Sequence, residues 1–197
     1  MLIPDNVTGV IVTRGDCDLE PCLATWPGFG DVIIWDNSEL PDVACFGRWL
    51  ASQQASTGVV FHQDDDVIIP ASTIEALLEQ YDGEQMLSNM NESWVVDAND
   101  PEFSYHDLGL QAAGCITQRD AWEPAVIQYL ARYPEDRFFH EWADFVVGIL
   151  TPHRKVDLPY ECRDLVRDAN RLANIPGNRA RRKAMMRRVR AIRDSLG

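Results

Sequence analysis

The sequence has no apolar run approaching the roughly 20 residues of a membrane span. Its first residues, Met1-Leu2-Ile3-Pro4-Asp5, lack the basic patch and long apolar stretch of a secretory leader. A cytoplasmic protein is the expectation. Cysteine is sparse: Cys17, Cys22, Cys45, Cys115 and Cys162 are odd in number, scattered and without a C-x-x-C pair. That pattern excludes a disulfide framework or a paired-thiol zinc site, and the five read as reduced packing residues. Internal repeats and low-complexity segments are missing, which excludes a solenoid. The phosphate-loop and dinucleotide fingerprints are absent, and so is the nucleophile elbow of serine hydrolases.

Positive charge is scarce over most of the chain. Residues 1–178 hold 10 Lys/Arg against 30 Asp/Glu, whereas residues 179–197 hold 8 against one. Such asymmetry predicts either a polyanion partner or a basic helix docked on its own acidic domain, and both stay open. With 46% hydrophobic and 25% charged residues over 197 positions, the composition is that of one soluble domain able to bury a core.

One stretch organises the rest: Val59-Val60-Phe61-His62-Gln63-Asp64-Asp65-Asp66-Val67-Ile68-Ile69-Pro70. Val59 to Phe61 reads as a buried strand, and a second apolar run stops at Pro70. Three adjacent carboxylates repel one another and call for hydration or a cation. Hard divalent ions take such oxygens and bridge them to phosphate. A solvated acidic turn is the plainer reading, and the apolar flanks favour the metal.

In chain order, Val7–Thr13 predicts a first strand ending at Arg14-Gly15-Asp16. Asp16 or Asp18 caps a short helix, which the Trp26 to Gly30 punctuation ends. Asp31–Trp35 predicts a second buried strand, followed by Asp36-Asn37-Ser38, and residues 45–56 a helix. Beyond Pro70, Ser72-x-x-Glu75 reads as a capping box opening a helix through Tyr81. Strands follow at Gln85–Met90 and Leu108–Thr117, where Gly114 permits close approach of a ligand or backbone. Residues 91–107 read as a binding loop, with Trp94, Phe103, Tyr105 and His106 able to stack on a ligand. Helices are expected at Asp120–Arg132 and at Asp136–Leu150, the latter carrying Glu141 and Asp144 three apart. Two more are expected, at 160–173 and in the basic terminus. In that last helix Met185, Val189, Ile192 and Leu196 form a docking stripe and the arginines face outward.

Strands alternating with helices predict an α/β fold with a mostly parallel central sheet flanked by helices. Ligands then sit outside the carboxyl ends of the strands, here Thr13-Arg14, Asp36-Asn37 and Asp64-Asp65-Asp66. A phosphatase of the haloacid dehalogenase type would carry its D-x-D-x-T/V on the first strand, and two strands precede it here. A sugar nucleotidylyltransferase would show a Gly-rich basic loop, and Val10 to Gly15 has one glycine. A metal-bound diphosphate remains the best use of the triplet.

In order, V-I-V-T-R, V-I-I-W-D-N-S, G-R-W-L-A-S, F-H-Q-D-D-D-V-I-I-P, A-A-G-C-I-T-Q-R and E-W-A-D-F-V-V-G resemble the GT-A class of glycosyltransferases over residues 7–160, with some likeness to the exostosin-type branch. The resemblance implies one GT-A-like domain over 1–160 and a helical extension over 161–197, basic from 179. It implies transfer of a sugar from a nucleotide-diphosphate sugar, UDP-sugar favoured, with Mn²⁺ or Mg²⁺. Thr13, Arg14, Asp36, Asn37, Arg48, Asp64 and Asp65 would hold the nucleotide sugar. Asp66, with Asp64 and His153, would bind the metal. Asp144 would deprotonate the acceptor hydroxyl, with Glu141 second, and Gly114, Trp94, Tyr105 and His106 would meet the acceptor. Arg181, Arg182, Arg187 and Arg188 could follow a polyanion such as DNA bearing hydroxymethylated bases. A lipid-linked or polysaccharide acceptor is the alternative. A catalytically silent nucleotide binder and a metal-dependent phosphatase stand in other classes.

Overall fold

The computed structural model describes residues 2–40, 42–90, 107–109, 113–163 and 175–197. Its centre is a six-stranded sheet, β1 (Val7–Thr13), β2 (Asp31–Asp36), β3 (Val59–Asp64), β5 (Met86–Asn89), β6 (Cys115–Gln118) and β7 (His153–Val156), in the order β2-β1-β3-β6-β5-β7. Of these six, β6 alone runs against the rest, so the sheet is mostly parallel, as the alternation of elements predicts. A two-stranded ribbon, β4 (Val67–Ile68) with β8 (Glu161–Cys162), covers the end of β3.

Helices α1 (Glu20–Leu23), α2 (Gly47–Gln54), α3 (Ala71–Gln80), α4 (Glu123–Arg132), α5 (Ala143–Leu150) and α6 (Asn178–Asp194) complete the described elements, with 3-10 turns at Pro4–Asn6, Ala44–Phe46 and Phe139–Trp142. One cluster packs Phe61, Ile69, Ile74 and Leu77 under α3; another sets Val10, Trp35 and Val60 against α2. The third joins Trp49 to α4, α5 and α6 through Tyr129, Trp142, Phe145, Val146, Met185 and Val189. The terminal helix therefore shares a core with the sheet domain. All five cysteines are free thiols. Among the described residues no helix is long and apolar enough to cross a membrane.

Several boundaries differ from the sequence reading, each for a local reason. β2 is the sheet's edge, and Val32 and Ile34 lie exposed where a buried strand was expected. Helix α3 begins one residue before Ser72, with Pro70 at the N-cap and no side-chain cap, so Ser72 and Glu75 form no capping box. Gly114 takes φ +98° and delays the strand to Cys115, which shortens the 108–117 expectation. The 136–150 stretch is broken by Trp142 (φ −136°, ψ 22°), leaving a 3-10 turn and a two-turn helix. Glu161–Cys162, expected in a helix, pairs with β4 instead. On α6, Met185, Val189 and Ile192 are buried as predicted, while Leu196 lies beyond the helix and exposed.

Candidate active site at the carboxyl rim of the sheet

Strand register brings the predicted polar ends together. Thr13 pairs with Asp36, and the preceding Val12 pairs with Asp64, so β1, β2 and β3 end on one line. The pleat then divides the acidic triplet. Alternate residues of a strand face opposite sides, so Val60, His62 and Asp64 point toward α2, while Phe61 and Gln63 point toward α1 and α3. Asp64 and Asp65 thereby enter different environments, and Asp66 completes the turn into β4.

On the α2 side, the guanidinium of Arg48 lies only 2% exposed between two carboxylates. Its Nη2 donates to Asp64, and its Nε stands 3.2 Å from Asp144 Oδ1. Trp49 Nε1 donates to the same Asp144 oxygen at 3.1 Å. Gly47, at the start of α2, has Trp35 against it where a side chain would stand, so the close seat of α2 on β2 needs a glycine. Burial pushes the Asp144 carboxyl up to about 6; Arg48 and the Trp49 bond pull against that shift and the Asp64 charge adds to it. Burial disfavours the Arg48 charge, but Asp144 and Asp64 outweigh it and hold the guanidinium protonated. Arg48 Nη1 is buried with no hydrogen-bond partner among the described residues. Beside it, His62 packs on Trp49 with ring centroids 4.9 Å apart and approaches Ser52 Oγ at 3.5 Å. Burial first, then Arg48, depresses its pKa far below the usual imidazole range, so this ring is neutral.

On the other side, Cys17 Sγ donates to Asp65 Oδ2 at 3.3 Å, and the Thr13 hydroxyl stands 3.8 Å from the same sulfur and accepts from the Gly15 N–H at 3.1 Å. Burial raises the Asp65 carboxyl, with Thr13 and Cys17 opposing, and raises the Cys17 thiol to about 11. Asp16, Cys17 and Asp65 are the group of three metal-ligating side chains that comes within 4.8 Å among the described residues. Asp16 is paired with Arg14. Arg163, whose guanidinium donates to the carbonyls of Asp18 and Asp65, ties the ribbon to this corner, and its backbone N–H donates to the Asp66 carbonyl at 2.7 Å.

The oxygen-only chemistry of the triplet suits a hard divalent ion. Asp64, Asp65 and Asp66 do not gather three ligand atoms within 4.8 Å. That spread makes no all-protein cage for a divalent ion.

Other predicted residues fall elsewhere. Asn37 is engaged in structure: it accepts from Trp35 Nε1 at 3.0 Å and donates to the carbonyl of Ala44, a residue at φ +48°. Asp36 keeps to the rim, where bonds from Ser38 lower its pKa. His153 opens β7 opposite Met86, level with the start of β3. Sheet spacings put it roughly 20 Å from Asp64, so it does not join the triplet; it binds the Thr151 carbonyl through Nδ1. Gly114 is buried against Ile69 and Leu77. Trp94, Phe103, Tyr105 and His106 lie outside the described residues.

Glu141, buried at the base of α5, pairs with Arg181 at 3.1 Å. Arg188 pairs with Asp136 at 2.9 Å, and Arg190 and Arg193 both reach Asp107. Arg182 stacks over Trp142. The terminal helix is thus docked on its own acidic domain, with Arg179 and Arg187 as its exposed arginines. Sequence reasoning missed Trp49, His62, Cys17 and Asp16 as neighbours of the site. For His62 the signal was present, because it lies two residues before Asp64 on the same strand.

No family model and no curated protein matches the sequence. Among solved structures, the fold is similar to mannosyl-3-phosphoglycerate synthase from Rubrobacter xylanophilus, at 12% identity and TM-score 0.51, covering 91% of this chain and 73% of that one. A putative glucose-1-phosphate thymidylyltransferase from Bacillus anthracis aligns over 92% and 95% of the two chains at 9% identity, with TM-score 0.39. The first likeness shows a shared fold.

Proposed function

We propose that this chain is a glycosyltransferase that moves a sugar from a nucleotide-diphosphate sugar to an acceptor hydroxyl at the rim of β1, β2 and β3. The observation that carries the reading is the Asp64–Arg48–Asp144 arrangement, in which a buried cation joins the acidic strand end to a buried carboxylate.

Thr13, Arg14 and Asp36 stand where a nucleoside would lie across the strand ends, with Asp36 as an acceptor for the base. Arg48 Nη1, closed to solvent and without a partner among the described residues, would gain one from a diphosphate or sugar oxygen if the rim opens around it, since a buried N–H without a partner costs free energy. Asp66, with the exposed part of Asp64, would hold Mg²⁺ or Mn²⁺, which when bound neutralises the departing diphosphate.

Asp144 is the general base. Its carboxyl, raised to about 6, is ionised at neutral pH yet basic enough to take a proton. It accepts the acceptor hydroxyl's proton while that oxygen bonds to the anomeric carbon and the bond from that carbon to the diphosphate breaks. Trp49 Nε1 and Arg48 Nε fix the direction of the carboxylate. Glu141 is paired with Arg181 and is not given this role. The helix α6, most of whose arginines engage their own domain, lends little to a DNA acceptor, and the acceptor is proposed only as a hydroxyl.

The test is release of nucleoside diphosphate from UDP-, GDP-, CDP- and dTDP-sugars, with a mixture of hydroxyl acceptors and Mn²⁺ or Mg²⁺. Release that vanishes with EDTA and in Asp144→Asn supports the reading. If no donor is consumed by well-folded protein across the panel, the reading fails.

A further inference from the structure

A hollow of about 560 Å³ lies between α6 and residues 132–138. Its wall includes Arg132, Arg137, Arg181, Arg188, Tyr133 and Phe138. Four arginines among the residues lining one hollow is unexpected in a chain of net charge −13. Two of them are fixed in place. Arg181 is held by Glu141 and lies 4.5 Å over the Phe138 ring; Arg188 is held by Asp136 and lies 5.0 Å over Tyr133. The other two, Arg132 and Arg137, are exposed and have no ion pair or hydrogen bond among the described residues. Asp136 borders the hollow but is already committed to Tyr129, Arg188 and the Phe138 N–H, which leaves Glu135 as the opposing charge at the rim.

Guanidinium groups pair well with the oxygens of a phosphate, because each presents a planar fork of donors. Phe138, 45% exposed, adds an apolar platform beside them. The volume is within the range that small-molecule pockets occupy, roughly 300–1,000 Å³. We propose that this hollow is a second ligand site, separate from the strand rim, which takes a small phosphomonoester carried on a ring. Arg132 and Arg137 close on the phosphate and Phe138 underlies the ring. The assignment does not depend on glycosyl transfer at the rim.

Isothermal titration calorimetry of the full chain with glucose 6-phosphate, inorganic phosphate and glucose tests it. The proposal expects saturable binding of glucose 6-phosphate, at least tenfold weaker binding of phosphate and none of glucose. The double variant Arg132→Ser/Arg137→Ser should lose at least tenfold in affinity with an unchanged melting temperature, because both side chains are exposed. Absence of binding, or equal affinity in the double variant, would overturn the assignment, the latter by moving the phosphate away from this hollow.

Discussion

Arg48 and Asp144, 96 positions apart in the chain, meet with Nε 3.2 Å from Oδ1 in the buried floor of the strand rim. This pair fastens α2 to α5, and Arg48 is the cation that compensates the buried Asp144 charge. Removing one partner of a buried pair leaves an uncompensated charge, which costs about 3–5 kcal/mol. Arg48→Met is therefore expected to destabilise the fold by that order, read as a lower midpoint in urea unfolding at pH 7.5. Unfolding at pH 4.5, where Asp144 takes up a proton, should show a smaller loss.

Activity should depend on pH through Asp144. Its carboxyl must be ionised to accept a proton, so kcat/KM should rise with pH through about 6 and level off above it. Stability runs the opposite way. A carboxyl raised from 3.8 to about 6 on folding favours the folded state while protonated, and that contribution is lost as pH rises through this interval. The order is ~3 kcal/mol. Asp144→Asn should flatten this part of the stability profile and reduce kcat at least a hundredfold.

Asp107 is the opposite case. Burial alone would raise it, but hydrogen bonds from Arg190 and Arg193 outweigh that and lower its carboxyl to about 2. The stability it lends to the docking of α6 is fully present above its ordinary 3.8 and is lost as pH falls toward 2. Asp107→Asn should cost about 1–3 kcal/mol at neutral pH. Hydrogen exchange should quicken first in α6, since the two arginines lose their shared anion.

Gly114→Ala places a side chain at φ +98°, with Ile69 and Leu77 already 3.1 Å from where its Cβ would stand. A loss of about 1–3 kcal/mol in thermal or urea unfolding is expected from backbone strain, with nucleotide binding unchanged because the residue faces α3. A selective loss of activity without destabilisation would restore a role in acceptor contact.

The rim was legible in the sequence because each strand there passes from apolar to polar residues toward its end, as at Trp35-Asp36 and Phe61-His62. The basic stripe of α6 was also legible, and its docking stripe ran true through Met185, Val189 and Ile192. What the sequence hid was sidedness. Three consecutive aspartates read as one cluster until the pleat sends Asp64 to Arg48 and Asp65 to Cys17. His153 was misplaced for a topological reason: β7 joins the far edge of the sheet and runs parallel, so its first residue lies away from the rim. The break at Trp142 had no punctuation signal, since no glycine or proline stands between Asp136 and Phe145.

The measurement that tests the central claim most directly is a thermal-shift panel of UDP, GDP, CDP and dTDP, each with Mn²⁺, Mg²⁺ or EDTA, on the wild type and Asp66→Ala. A ligand at 100 times its dissociation constant stabilises by about 2.7 kcal/mol, a readily visible shift. The account predicts that one nucleoside diphosphate stabilises the wild type only with a divalent ion and that Asp66→Ala loses the effect. Failure of every nucleotide to shift the wild type, with or without metal, would contradict it.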